Sequence, residues 1–354
     1  MLVSAPDDID WRAIVTLWIT ARCPAFPAQT PSLDAAVRET LCYKLPERAQ
    51  GPGAIRHGRG KKRVLSASTQ DDRAKTAFVF AGGGSFGAIQ VGMMHALAAN
   101  GVSADMVVGS SVGAINGAYY AGTPTLKGVL ELETIWRGLT RRDVFPVTWR
   151  TMLGFIWRRD FLIPHDGLRK LLDDHMPYRN LQDAQLPVHI VTTDIVTGES
   201  VVLSEGSAVE AIVASTSIPG AFAPVPYRGR YLADGAISAN TPVSVAVEKG
   251  ARRLIILPTG YACSSDAPPV GAVANALHAL TLLIARQVVN DLENLSPDIE
   301  YCVVPPLCPL MGSPYDFSLV SEHIERSIKS TEEWLAQDGL AKTHIPGALR
   351  THGH

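Results

Sequence analysis

Gly109-Ser110-Ser111-Val112-Gly113 decides the reading of this chain, because it sets a serine between two glycines where an apolar run gives way to a small-residue helix. Asp105 to Val108 reads as a short buried strand and Ala114 to Gly122 as a helix. A residue on the sharp turn between them takes strained backbone angles, and side chains at the flanking positions would clash. Gly109 and Gly113 remove those side chains. The Ser111 hydroxyl then stands above the N-terminus of the following helix, whose free N–H groups favour a developing negative charge. Ser111 is the candidate nucleophile; a capping serine in a tight turn is the other reading of the same five residues.

Upstream, Lys75 to Ala81 (KTAFVFA) reads as a second buried strand that runs into Gly82-Gly83-Gly84-Ser85-Phe86-Gly87, with a helical stretch from Ala88 to Ala99 beyond it. Three consecutive glycines leave backbone N–H groups uncovered and able to approach an anion closely. In acyl transfer that anion is the oxygen of the tetrahedral intermediate, which needs donors fixed in advance. Gly82, Gly84 and Gly87 also satisfy G-x-G-x-x-G in the strand-to-helix context of a dinucleotide site. That fingerprint asks for an acidic residue at the end of the second strand. Gly109-Ser110-Ser111 stands there instead, with Asp105 at the strand's start.

Downstream, Tyr227 to Asp234 (YRGRYLAD) reads as a turn followed by a strand that ends in Asp234-Gly235-Ala236. A carboxylate at a strand end beside a glycine can meet a nucleophile leaving another strand of the same sheet. An ordinary Asp, with a pKa of about 3.9, is a poor base for a serine hydroxyl. The chemistry therefore requires a partly desolvated carboxylate and a stabilised oxyanion. A plain turn residue is the alternative for Asp234, and Asp194 is a second carboxylate in a strand-like context that competes for the role of base.

Together the three pieces resemble the patatin-like phospholipase family, of the bacterial type. Its signature is a glycine-rich oxyanion loop (here GGGSFGAIQVGMMHAL, Gly82 to Leu97), then G-x-S-x-G (GSSVG, Gly109 to Gly113), then D-G-G or D-G-A (DGA, Asp234 to Ala236). Val191 to Leu203 resembles the family's central hairpin-like unit, and Ala214 to Pro226 with Asn240-Thr241-Pro242 the segments beside its active site. The likeness runs from about Lys75 to Arg253. It implies a three-layer α/β/α fold with a mostly parallel central sheet and the site at the strand C-termini. It also implies hydrolysis of a lipid acyl ester, of the phospholipase A, lysophospholipase or acyl esterase type. Carried over residue by residue, the resemblance implies Ser111 as nucleophile, Asp234 as base, Gly109 and Gly113 as the elbow glycines, Gly235 and Ala236 as the rest of the DGA motif, and an oxyanion hole from Gly82, Gly83, Gly84, Ser85 and Gly87. It implies a Ser-Asp dyad without histidine, no cofactor and no metal. One departure stands out: the family commonly has Arg or Lys before the last glycine of the loop, and here Phe86 takes that place. Losing that cation weakens the expectation of a phospholipid head group more than that of an acyl ester; packing is the other reading of Phe86.

Composition agrees. The chain has 354 residues, 46% hydrophobic and 19% charged, as an ordinary globular core requires. A net charge of -2 argues against nucleic acid as a partner. Five cysteines (Cys23, Cys42, Cys263, Cys302, Cys308) without a C-x-x-C pair fit a reducing compartment, the cytoplasm, and no zinc site. No secretory signal is visible, since Asp7, Asp8 and Asp10 occupy its place. Val273 to Val289, broken by Asn275, His278 and Arg286, is too short and polar to span a bilayer, so membrane contact is expected to be peripheral.

The pattern divides the chain into an N-terminal extension (1–74), a hydrolase domain (75–337) and a C-terminal tail (338–354). In the extension, Trp11, Ile14, Val15 and Trp18, then Leu33, Val37 and Leu41, suggest two short amphipathic helices. Gln50 to Asp72 reads as a Gly/Ser-rich linker with the basic run Arg56 to Arg63, either simply solvated or drawn to anionic lipid. Phe145 to Leu162 fits a roof over an acyl cavity, a bilayer contact or a buried helix equally well. Ser318 to Gln337 reads as an amphipathic helix. Two rival functions stay open: an α/β-hydrolase with His323 or His344 as late histidine, and a lipid- or partner-binding module without turnover.

Overall fold

The computed structural model describes residues 74–144, 163–260, 272–310 and 312–350. The expected N-terminal helices, the basic linker and the stretch 145–162 lie outside those residues. The two apolar runs become β1 (Thr76–Phe80) and β2 (Met106–Ser110), paired in parallel from Ala77 against Met106 to Phe80 against Gly109. Both strands are buried at every residue, because helices cover both faces of a parallel sheet. β1 leads into α1 (Gly87–Ala99) and β2 into α2 (Val112–Gly122), each starting one or two residues earlier than the sequence pattern suggests. Then come α3 (Leu126–Gly138), capped by the Thr125 hydroxyl, and α4 (Asp166–His175).

β3 (Val188–Asp194) and β4 (Ser200–Leu203) form the hairpin expected around Val191 to Leu203. The chain continues through α5 (Ala208–Ser215), β5 (Val225–Tyr227), β6 (Arg230–Asp234) and α6 (Val243–Glu248). It closes with β7 (Arg253–Leu257), α7 (Ala272–Glu293), β8 (Glu300–Val303) and α8 (Val320–Ala336). The segment around Asp234, read as a turn and one strand, is a complete β5–β6 hairpin. Its two-residue turn, Arg228 and Gly229, is left-handed at both positions (φ 45° and 80°), the twist that suits a tight hairpin.

The sheet follows the hydrogen-bonded path β5-β6-β3-β2-β1-β7-β8, with β4 also paired to β3. The contacts β3-β2-β1-β7-β8 are parallel, and β4, β5 and β6 pair antiparallel. Alternate residues of each central strand enter two cores. Phe78, Phe80, Val107 and Ile255 face a layer built from α1 to α5 and α8, whereas Ala77, Val79, Val108 and Ile256 face a layer with α6 and α7. This is the three-layer α/β/α arrangement with a mostly parallel sheet. Among the described residues no helix is long and apolar enough to cross a membrane.

Register decides where the site forms. Ile190 and Val191 pair with both β2 and β4, so β2 and β4 take opposite edges of β3; Thr192 and Thr193 pair with both β4 and β6. β6 therefore lies on the same edge as β2 and runs toward it end to end. Ser110 pairs with Val191 and Asp234 with Thr192, one residue further along, so the end of β6 meets the turn after β2.

Candidate active site

Ser111 sits on that turn with φ 54° and ψ -126°, one of three described non-glycine residues with positive φ. Such a conformation is strained for a residue with a Cβ and persists only when its surroundings enforce it. The enforcement is visible at both glycines. A Cβ on Gly109 would collide with the Gly113 carbonyl, and one on Gly113 would collide with the Phe80 and Ala81 carbonyls. The Ser111 N–H donates to Ser215 Oγ at 2.9 Å, and Ser215 Oγ in turn donates to the Val191 carbonyl at 2.6 Å.

With its backbone so held, Ser111 Oγ donates to Asp234 Oδ2 at 2.7 Å. The other carboxylate oxygen, Oδ1, accepts from the Ala236 N–H at 2.8 Å. Burial pushes the Asp234 carboxyl up to about 6, against the opposing pull of the Ala236 and Ser111 hydrogen bonds. Gly235 is the hinge of this arrangement: a Cβ there would strike the Val191 carbonyl and Ser110. Asp194, the competing carboxylate, lies elsewhere; its Oδ1 accepts from Val196 N–H in the β3–β4 turn and its Oδ2 lies 3.6 Å from Arg230. The hydroxyl of Ser111 bonds Asp234 and no described histidine. His323 is buried behind the glycine-rich loop, with its ring edge-on to Phe86 at 5.7 Å. Phe86 is thus part of the core.

The glycine-rich loop passes beside Ser111. A Cβ on Gly82 would crowd Asn240 Oδ1 and Ser111 Cβ, and Gly84 is left-handed at φ 60° with the Pro314 carbonyl close against it. Three amides of the expected set already have protein acceptors. Gly82 N–H donates to the Asn240 carbonyl at 3.0 Å, Ser85 N–H to the Pro314 carbonyl at 2.8 Å, and Gly87 N–H to carbonyls of its own turn. Among the described residues the N–H groups of Gly83 and Gly84 have no acceptor.

Several supports were not singled out by sequence reasoning. Gln90 Nε2 donates to the Ala81 and Leu257 carbonyls (2.8 and 2.9 Å), and Gln90 Oε1 accepts from Asn116, which also donates to the Gly87 carbonyl and accepts from Trp136 Nε1. Thr259 Oγ1 donates to the Gly82 carbonyl at 2.6 Å. This buried network ties both ends of the glycine-rich loop to β7 and α2. The one available signal was Gln90 itself, a polar residue in the otherwise apolar run GAIQVGMM.

Ser111 and Gly84 line a cavity walled by apolar side chains of α2, α3 and α4. Phe222 and Phe317 also line it, and Phe317 stacks on Trp136 at 6.4 Å.

A family model for patatin-like phospholipase matches residues 78–247. Over 193 residues the chain is 30% identical to patatin-like phospholipase domain-containing protein 7 of Mus musculus, which covers 54% of this chain and 14% of that protein. It is 30% identical over 190 residues to lysophospholipase NTE1 of Meyerozyma guilliermondii, covering 51% of this chain and 12% of that protein. A solved structure of human GIVD cytosolic phospholipase A2 in complex with methyl gamma-linolenyl fluorophosphonate aligns at TM-score 0.42 and 14% identity, over 79% of this chain and 60% of that one. The chain thus spans under a sixth of the length of these two curated relatives. From β1, through the serine elbow and the Asp234 turn, to α6, residues 78–247 of this chain match the patatin-like phospholipase family.

Proposed function

We propose that this protein is a serine lipid acyl hydrolase working through a Ser111–Asp234 dyad. The observation that carries the reading is the 2.7 Å hydrogen bond from Ser111 Oγ to a buried carboxylate at the mouth of an apolar cavity. Asp234 takes the Ser111 proton as Oγ attacks the ester carbonyl carbon. The carbonyl π electrons move onto oxygen, where the Gly83 and Gly84 amides and the N-terminus of α2 hold the charge. Collapse expels the alcohol, which leaves with the proton from Asp234. Water then gives a proton to Asp234 and attacks the acyl-enzyme, releasing the acid and returning the proton to Ser111.

The hydrolase domain in this reading is 75–337, between the extension 1–74 and the tail 338–354. The lipid substrate is reached by peripheral contact with a membrane or micelle, and the buried, unpaired Cys302 suits a cytoplasmic setting. The test is fluorophosphonate labelling together with fatty acid release from mixed micelles, run on wild type, Ser111→Ala, Asp234→Asn and Asp194→Asn. Expected are loss of labelling and turnover in Ser111→Ala, loss of turnover in Asp234→Asn, and retention of both in Asp194→Asn. A folded wild type that neither labels nor hydrolyses any ester makes this a binding module.

A further inference from the structure

The cavity beside Ser111 has a length as well as a character. Val112, Ile115 and Tyr119, one, four and eight residues after Ser111, share one face of α2 and line it. α4 contributes Leu168, Leu171 and Leu172 to the same lining. At its start, His165 Nε2 hydrogen-bonds Ser217 Oγ at 2.9 Å, and the Ser217 carbonyl accepts from the Asp234 N–H, so this end stands at the mouth. At its finish, His175 and Met176 line the cavity as well. Beyond Met176 the chain folds back onto the end of α2. Pro177 and Tyr178 pack so tightly on Gly122 that no Cβ fits there, and Tyr178 Oη donates to the Ala118 carbonyl at 2.8 Å.

The walls offer an alkyl chain almost nothing polar. The Trp136 N–H is taken by Asn116, and Leu132, Ile135, Leu168 and Leu172 supply hydrocarbon. Eight residues of helix between Ser111 and Tyr119 advance about 12 Å, which an extended chain covers in about ten carbons at ~1.2 Å per bond. Resting on the hydrolase reading above, we propose that this cavity is the acyl-chain site, that Tyr119 is its floor, and that the enzyme selects acyl groups of about ten carbons. Longer chains keep their remainder outside and gain nothing from it. Ile115 stands half-way along and sets the width there.

The experiment measures kcat/KM of the full chain with p-nitrophenyl esters from C4 to C16, kept below their micelle concentrations. Expected is a rise of about fourfold per methylene up to about C10 and no further gain beyond it. Ile115→Phe moves the break down to about C6, and Tyr119→Ala moves it up by several carbons. A rise that continues unbroken to C16, or a break that neither folded variant moves, overturns the proposal. Calorimetric titration of Ser111→Ala with decanoate and palmitate reads the cavity without turnover and without either cavity variant. Affinity that still climbs about fourfold per carbon from C10 to C16, or no binding of either acid, overturns it as well. Decanoate binding at full strength in Ser111→Ala, combined with a wild type that cleaves no ester, sinks the hydrolase reading and leaves the cavity assignment standing.

Discussion

In the proposed mechanism a single carboxylate, Asp234, couples catalysis to stability. Its folded pKa of about 6 lies above the ordinary value of 3.8, and burial is the main cause. Only the ionised form accepts the Ser111 proton, so kcat/KM on a soluble ester is expected to rise with pH and reach half its plateau near pH 6. A profile already flat from pH 4.5 upward would mean that Asp234 is not the group titrating. The stability sign follows from the same shift. Below about pH 4 the group is protonated folded and unfolded, and contributes nothing. Between about pH 4 and 6 the folded state keeps a proton that the unfolded state has lost, so stability falls as pH rises through that window. Above pH 6 the full cost remains, about 3 kcal/mol at 1.36 kcal/mol per pKa unit. Asp234→Asn should therefore unfold at a higher denaturant midpoint than wild type at pH 7.5, by up to that amount, while losing turnover. Near pH 4 the two proteins should converge. A variant destabilised equally at both pH values would show that the carboxylate is structural support.

At the scale of elements, the elbow is held by backbone rather than by side chains, and this decides how it fails. A methyl on Gly113 meets the Phe80 and Ala81 carbonyls, and carbonyls of a central strand cannot rotate aside. Gly113→Ala is expected to cost about 3 kcal/mol and to slow fluorophosphonate labelling of the folded fraction at least tenfold. Gly138→Ala is the control. It ends α3 with open space around it, and should be neutral or stabilising by up to about 1 kcal/mol. Equal effects from both substitutions would mean that strain at Ser111 has no part in reactivity. The same elbow was the most legible element in the sequence, because glycines at fixed offsets around a serine record a steric requirement directly. The strands before Gly82 and Gly109 were legible too, as short continuous apolar runs. What the sequence concealed was that β6 shares an edge of β3 with β2. That depends on register between segments more than 120 residues apart, and nothing local to YRGRYLAD encodes it. The glycine-rich loop was legible only as a set of five residues. Which of its amides have partners depends on Asn240 and Pro314, far along the chain.

At the scale of the whole molecule the two cores are separate clusters, and of the two only the first shares residues with the cavity beside Ser111. The cavity and the helices that line it belong to the layer of α1 to α5 and α8. The opposite layer, around α6 and α7, meets the segment that follows Asp234, where Gln287 of α7 donates to the Ser238 carbonyl at 2.9 Å. The C-terminal segment, which the sequence pattern sets apart as a tail, contributes to this second layer. Leu349 is 1% exposed there, Ile345 packs beside it, and Arg350 pairs with Glu293 at the end of α7. Leu349 lies in a short stretch broken by Gly and Pro that carries no sustained periodicity, which is why its burial was not legible. Truncating it leaves a cavity remote from Ser111. Leu349→Ala is therefore expected to cost about 3 kcal/mol, which in a domain of this size lowers Tm by roughly 6–12 °C. The kcat per folded molecule and the break in acyl-chain preference should stay as in wild type, since no wall of the cavity comes from that layer. Thermal melts and ester kinetics on the same preparation check both halves. A stable Leu349→Ala protein with a shifted chain-length break would mean that the two cores are coupled through the sheet, and that the second layer helps to shape the site.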